Sequence, residues 1–401
     1  MFSRRRLLQG IGAAAVTAPI RLGFAAVAME QRLVVVILRG ALDGLAAIVP
    51  YGDPDYRQAR GSLALEPPGS GDGVLKLDGT FGLHPALQPL LAFYQRGEFL
   101  PVQAVATPYR DRSHFDGQDV LENGEPFVSS TATGWLNRVL AELPQDGGRR
   151  LGLAVGQNLP LMLRGPVETA SWAPSRLPEA PPQFIEKVSL MWRQDPLLGP
   201  ALLTGLKAQA FSDDVLASDR MQGRGNGYGP KAFAPLAQAA GNLLAAPDGP
   251  RIAVLEMSGW DTHAGQGKLA GRLAPNLAGL AEGLASLAAA LGPAWRQTVV
   301  MAISEFGRTV APNGTNGTDH GTAGCALVLG GAVQGGRVLS DWPGLAARAL
   351  YQQRDLRPTL DARALFKGIL SDHLRVADAA LNQRIFPDSK AAPAVAGLLR
   401  A

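Results

Sequence analysis

A single cysteine, Cys325, stands in a chain of 401 residues. It has no partner within the chain, which excludes an intramolecular disulfide framework and a zinc site built from several thiolates. Charge is also scarce: 18% of residues are charged and 46% are hydrophobic. A chain this apolar is not disordered and can bury a large core. The formal net charge of +4 is weak for this length, so no strong nucleic-acid footprint is indicated. Histidine is limited to five residues, so the place of each can be weighed. Glycine (48) and proline (30) are plentiful. The length suits one large domain or two smaller ones.

The basic excess has one location. Residues 1–28 carry Arg4, Arg5, Arg6 and Arg21 and no acid, followed by an Ala-rich apolar run and Ala26-Val27-Ala28, a small-residue cleavage pattern. This is the layout of a signal peptide, and Ser3-Arg4-Arg5-Arg6-Leu7-Leu8 is similar to a twin-arginine export signal. Pro19 and Arg21 break the run, so it makes a poor membrane span. Without these four arginines the count is 34 basic against 34 acidic residues. The expectation is a neutral, exported chain, periplasmic or secreted, with no stable membrane anchor. Its single domain would span 29–401, with loop insertions near 51–83 and 165–230.

Apolar runs and helical periodicity alternate through the rest. Leu33–Leu38 reads as a buried parallel strand. Glu98–Ala106, Leu151–Val155, Leu161–Leu163, Arg251–Met257, Thr298–Ile303 and Ala326–Leu329 read as further strands. Helices are expected over Pro85–Arg96, His114–Glu122, Thr133–Leu143, Pro200–Asp219, Leu269–Leu291, Ala362–Leu370 and His373–Leu381. The Gly223–Gly229 run lacks a leading strand and reads as a flexible connection rather than a phosphate cradle. Strands alternating with helices predict an α/β fold: a three-layer α/β/α sandwich around a mostly parallel sheet.

Ligands bind such sheets beyond the carboxyl ends of the strands. The segments there are Arg39–Gly44, Tyr109–Asp116, Ser258–His263, Ser304–Thr309 and Asp319–Thr322. His114, His263 and His320 all fall in them. Asp261 and His263, two apart, face one way in an extended loop, and His320 would complete a His/His/carboxylate set with an open position. The plainer alternative makes Asp261 a helix cap and His263 a surface residue. Ser113 begins an S-x-x-D pattern, so it caps the following helix, acts as a nucleophile at the positive helix end, or does both. Arg39, Arg110, Arg112 and Arg308 either bind an anion bidentately or neutralise nearby carboxylates. His84, His373 and Cys325 read as structural. The two Asn-Gly-Thr sequons at 313 and 316 read as turn chemistry.

Together, RRRLLQG, LVVVILRGALDGL, YRDRSHFDGQDVLENG, SGWDTH, SEFGRT and TDHGTAG resemble a family of exported bacterial proteins of unknown function. That family lies within the alkaline phosphatase/sulfatase superfamily. The resemblance implies an alkaline-phosphatase-like fold with one or two divalent cations, zinc or manganese before calcium or magnesium. It implies Asp261, His263 and His320 as one metal site, with Ser113 near the nucleophile position. Glu305 falls at the carboxylate of an expected Asp-His pair. Arg39 stands where a metal-binding Asp is expected, and Phe306 where its His is. The second metal site is therefore eroded unless Asp43, His114 or Asp116 rebuilds it. The missing nucleophilic Cys argues against a formylglycine sulfatase.

Two functions follow as expectations. One is an exported, metal-dependent hydrolase of a phosphate or sulfate ester, small or polymeric, using Ser113 with Arg39 and Arg308 and metal ligands drawn from Asp261, His263, His320, Glu305, Asp43 and His114. The other is a non-catalytic periplasmic binding or assembly protein on the same scaffold, with a structural metal. The expected partners are the ester substrate and the twin-arginine export machinery, without nucleic acid.

Overall fold

The apolar run at residues 33–38 lies inside an eight-stranded sheet in a computed structural model of the chain, which describes residues 29–144, 151–174, 180–216 and 229–400. Residues 1–28, the expected export signal, and the glycine run up to residue 228 lie outside the described residues. The strands are β1 (Arg32–Arg39), β2 (Ile48–Val49), β3 (Leu75–Lys76), β4 (Gly82–Leu83), β5 (Phe99–Ala106), β6 (Gly152–Val155), β7 (Ala170–Trp172), β8 (Ile252–Ser258), β9 (Thr298–Ile303), β10 (Gly324–Leu329) and β11 (Leu360–Asp361). The main sheet has the order β11-β5-β10-β9-β1-β8-β6-β7. Only β10 runs against its neighbours there, so the sheet is mostly parallel as expected. Strands β2, β4 and β3 form a small antiparallel sheet over the 51–83 excursion.

The main helices are α1 (Gly44–Ala47), α2 (Tyr56–Arg60), α3 (Gln88–Gln95), α4 (His114–Asn123), α5 (Trp135–Glu142), α6 (Pro182–Trp192), α7 (Leu198–Leu216), α8 (Pro230–Ala245), α9 (Leu273–Leu291) and α10 (Ala362–Leu374). They lie on both faces of the sheet, and β1 shows why its sequence is apolar without alternation. Val34, Val36 and Leu38 pack toward a layer containing Leu90, Phe233 and the leucines of α9. Leu33, Val35 and Ile37 pack toward Trp135, Leu136, Phe366 and Ile369. The architecture is the three-layer α/β/α sandwich.

Some expected elements differ. Leu161–Leu163 is a 3-10 turn rather than a strand: Leu163 and Arg164 donate to Pro160 and Leu161 within the turn, which leaves no ladder to a neighbour. The two C-terminal helices expected at 362–370 and 373–381 are both present with shifted bounds: the first runs to Leu374, Arg375 stops it with a left-handed φ of 58°, and the second covers Asp378–Ala380 and continues as a π-turn over Leu381–Ile385. The 165–230 stretch is not simply loop, since β7, α6 and α7 lie in its described part. Helix α8 was not expected, because Pro230 and the internal Pro235 blur its pattern. His84 caps a helical turn by accepting from Ala86 N–H, and His373 bonds the Arg32 carbonyl, so both serve structure.

Candidate metal centre

The loops after β1, β5, β8 and β9 meet at one edge of the sheet. Gly40 follows β1 with φ 113°, and a Cβ there would come within 2.7 Å of the Asp261 amide. Its lack of side chain lets the β1 loop pass directly against the loop that carries Asp261. On α4, a Cβ at Gly117 would lie 2.9 Å from the Phe306 ring, so the glycine admits that ring against the helix. Phe306 in turn stacks on His114, with centroids 4.9 Å apart and planes at 26°.

Four side chains converge here. The Nε2 atoms of His263, His320 and His114 lie 3.1, 3.3 and 3.6 Å from Asp261 Oδ1. His114, Asp261 and His320 each offer one ligand atom within 4.8 Å of the others. The other nitrogen of each imidazole is engaged. His114 Nδ1 meets Glu305 Oε1 at 2.7 Å, His263 Nδ1 meets Asp319 Oδ1 at 3.1 Å, and His320 Nδ1 meets the Arg112 carbonyl at 2.9 Å. Those acceptors favour Nδ1–H, which turns each Nε2 lone pair toward the centre. His263 and His320 Nε2 then face each other at 2.9 Å, lone pair to lone pair. Such a contact needs a proton or a cation between them. His114 Nε2 and Glu305 Oε2 are buried without a hydrogen-bond partner. The donor set of three imidazoles and a carboxylate, with orphaned polar atoms at its wall, fits a divalent cation.

The electrostatics favour positive charge at this centre. The hydrogen bond His114 makes to Glu305 raises the His114 pKa against the effect of burial, with further help from Glu305 and Asp261 charge. Burial and the neighbouring His114 lower that of His320. Burial would raise the Asp261 pKa, but the bond from Arg308 Nη1 at 2.6 Å and its charge, with His263 and His114, hold it below the usual range. Asn313 and His263 likewise depress Asp319.

The expected residues thus divide. Asp261, His263 and His320 come together, and His114 joins them instead of rebuilding a second site. Glu305 stands behind His114 and also accepts from Gly40 N–H and Gln118. Asp43 does not reach the centre, because one oxygen caps α1 at Leu45 and Ala46 and the other is held by Arg60 and Gln266. Arg39 is spent on Glu256, Glu122 and Gln118, so it neutralises carboxylates rather than offering a free guanidinium. Arg308 is buried, bonds Thr318 and holds Asp261 in place. Arg110 bonds the Thr107 and Tyr109 carbonyls, and Arg112 bonds Asp355. Ser113 occupies the N-cap position of α4, yet its side chain makes no capping bond, which removes the helix-cap alternative. Asn313 is a turn residue that accepts from the Thr315 and Gly317 amides and donates to Asp319. Asp319, Asn313 and the Arg112 carbonyl were not legible as imidazole supports, apart from the adjacency of Asp319 to His320.

Fold and site define the class: a three-layer α/β protein with a His/Asp centre at the carboxyl ends of its strands. A model of a family described as a protein of unknown function (DUF1501) matches residues 30–385, and the chain belongs to that family. No curated protein matches it. Solved structures similar to it include i-CgsB of "Ps" in complex with k-i-k-neocarrahexaose, at 10% identity over 88% of this chain and 73% of that one, with a TM-score of 0.42. Another is the phosphonate monoester hydrolase of Agrobacterium radiobacter, at 12% identity over 86% and 74%, TM-score 0.36. A third is the C-terminal periplasmic domain of EcEptC from Escherichia coli in complex with Zn, at 11% identity over 75% and 73%, TM-score 0.34.

Proposed function

We propose that this protein is an exported, metal-dependent hydrolase of a phosphate or sulfate ester, with Ser113 as its nucleophile. The observation that carries the reading is the convergence of three Nε2 atoms on Asp261 Oδ1, each imidazole supported through its Nδ1. Asp261, His263, His320 and His114 would hold the ion, and three imidazoles favour zinc or manganese over calcium or magnesium. When bound, the cation supplies Lewis-acid stabilisation of charge on the ester oxygens. The chain supplies the rest. Ser113 lies between Arg112, whose carbonyl fixes His320, and the ligand His114. It stands at the positive end of α4, where uncapped first-turn N–H groups favour an anionic ester. Arg308 holds Asp261 charged and oriented. The arginine-rich residues 1–28 support passage through the twin-arginine machinery to the periplasm or beyond.

A second reading has its own observation. Arg39 and Phe306 stand where the superfamily resemblance implies ligands of a second ion, and the chain uses Arg39 in ion pairs and stacks Phe306 on His114. That favours a binding or assembly protein with a single structural metal. One experiment separates the two: measure bound metal in the purified chain, then assay aryl phosphates, phosphodiesters and sulfates with wild type and Ser113→Ala. The hydrolase reading expects metal-dependent turnover that the variant loses by about 100-fold or more. Stoichiometric metal with no turnover on any ester sinks it in favour of the second.

A further inference from the structure

The turn at residues 351–355 takes no part in the centre as described. It is closed by two backbone bonds, from Tyr351 N–H to the Asp355 carbonyl at 2.8 Å and from Asp355 N–H to the Tyr351 carbonyl at 3.0 Å. Gln352 and Gln353 inside it have φ of 51° and 55°. Left-handed backbone is unfavourable for a residue with a Cβ, and two in succession persist only where the surroundings fix them. The surroundings are the metal centre's supports. Asp355 Oδ2 accepts from Arg112 Nε at 2.9 Å, and Gln352 Oε1 accepts from Arg112 Nη2 at 2.6 Å. Arg354 Nη2 donates to the His320 carbonyl at 2.9 Å. Arg112 is itself left-handed, with φ 63°, and its carbonyl is the acceptor for His320 Nδ1. The turn therefore grips both partners of that bond, and Arg112 leads straight into Ser113 and His114. The Asp355 side chain is fully buried in doing so.

We propose that the 351–355 turn, acting mainly through Asp355 on Arg112, is the positioning element of this site: it sets the carbonyl that orients His320 and the backbone that delivers Ser113 and His114. None of its side chains is among the groups converging on Asp261, so its residues position and do not ligate. The consequence for metal affinity rests on the metal reading above; the geometric claim stands apart from it.

The test uses the full chain and two readouts. In metal-free protein, nitrogen-15 histidine NMR is expected to show the His320 Nδ1–H as a slowly exchanging proton, and Asp355→Asn and Gln352→Ala are expected to lose it. Zinc titration is expected to give dissociation constants about 10–100-fold weaker for Asp355→Asn and somewhat less for Gln352→Ala. Gln353→Gly, which suits the same φ and takes no side-chain hydrogen bond from Arg112 or His320, should match wild type in both. The proposal is overturned if the variants keep the protected Nδ1–H and bind zinc within about twofold of wild type. Should Asp355→Asn fail to fold, the exposed Gln352→Ala decides. Should His320→Ala bind zinc like wild type, the metal reading fails while the NMR readout still judges the turn.

Discussion

Two carboxylates lie at the same edge of the sheet, each with an arginine, and they have opposite fates. Asp43 is 1% exposed in its side chain and its oxygens meet only donors: two α1 amides, Arg60 and Gln266. Asp261 is 44% exposed in its side chain and meets one guanidinium, Arg308, and three imidazole Nε2 atoms whose Nδ1 partners are acceptors. The first cluster is closed, and every Asp43 contact is with a donor. The second has more acceptors than donors and opens to solvent. The balance of donors and acceptors, rather than the residue types, separates a structural ion pair from a ligand site.

The largest expected effect breaks the closed cluster. Arg60→Ala leaves Asp43 buried without its cation and should lower stability by about 3–5 kcal/mol, read from urea unfolding. A loss below about 1 kcal/mol would mean that Asp43 is not a sealed pair. Next comes the open cluster. His263→Ala should weaken zinc binding by about 100-fold or more, since a ligand outweighs its supports. The same change should move the stability of metal-free protein by no more than about 0.5 kcal/mol, because the side chain is half-exposed. Calorimetric titration beside thermal unfolding checks both halves. Equal losses of stability at Arg60 and His263 would erase the distinction.

The smallest effect concerns the histidines outside the open cluster. Burial lowers the pKa of His373 and of His84, so the fold holds both neutral. The unfolded chain takes up protons below its ordinary imidazole pKa of about 6.5 while the folded chain does not. Their contribution is therefore present above that pH and lost as pH falls below it. His373→Gln should flatten the decline in unfolding free energy between neutral and mildly acid pH. An unchanged slope would show that His373 is not held neutral.

Much of the frame was legible. Leu33–Leu38 and Thr298–Ile303 are strands because a parallel strand covered on both faces must be apolar without alternation. The carboxyl-end rule then gathered Asp261, His263 and His320 into one loop cluster. His114 and Asp43 were expected as ligands that would rebuild a second site, and Arg39 either on an anion or on nearby carboxylates. Nothing local in the sequence shows that Arg60 takes Asp43 or that Glu256 and Glu122 take Arg39. The two glutamines at 352 and 353 carry no turn signal at all, since glycine or asparagine is the usual mark of positive φ.

The sequence by itself determined a basic stretch over residues 1–28 ahead of a formally neutral remainder, the apolar strands, and the loops in which chemistry would sit. Those features are local, set by composition and by periodicity along a few residues. The tertiary structure alone decided which lone pairs meet. The supports of the three imidazoles lie 56, 191 and 208 residues away from them. A histidine becomes a ligand when its second nitrogen is bonded elsewhere, and only the folded chain brings those distant acceptors within reach.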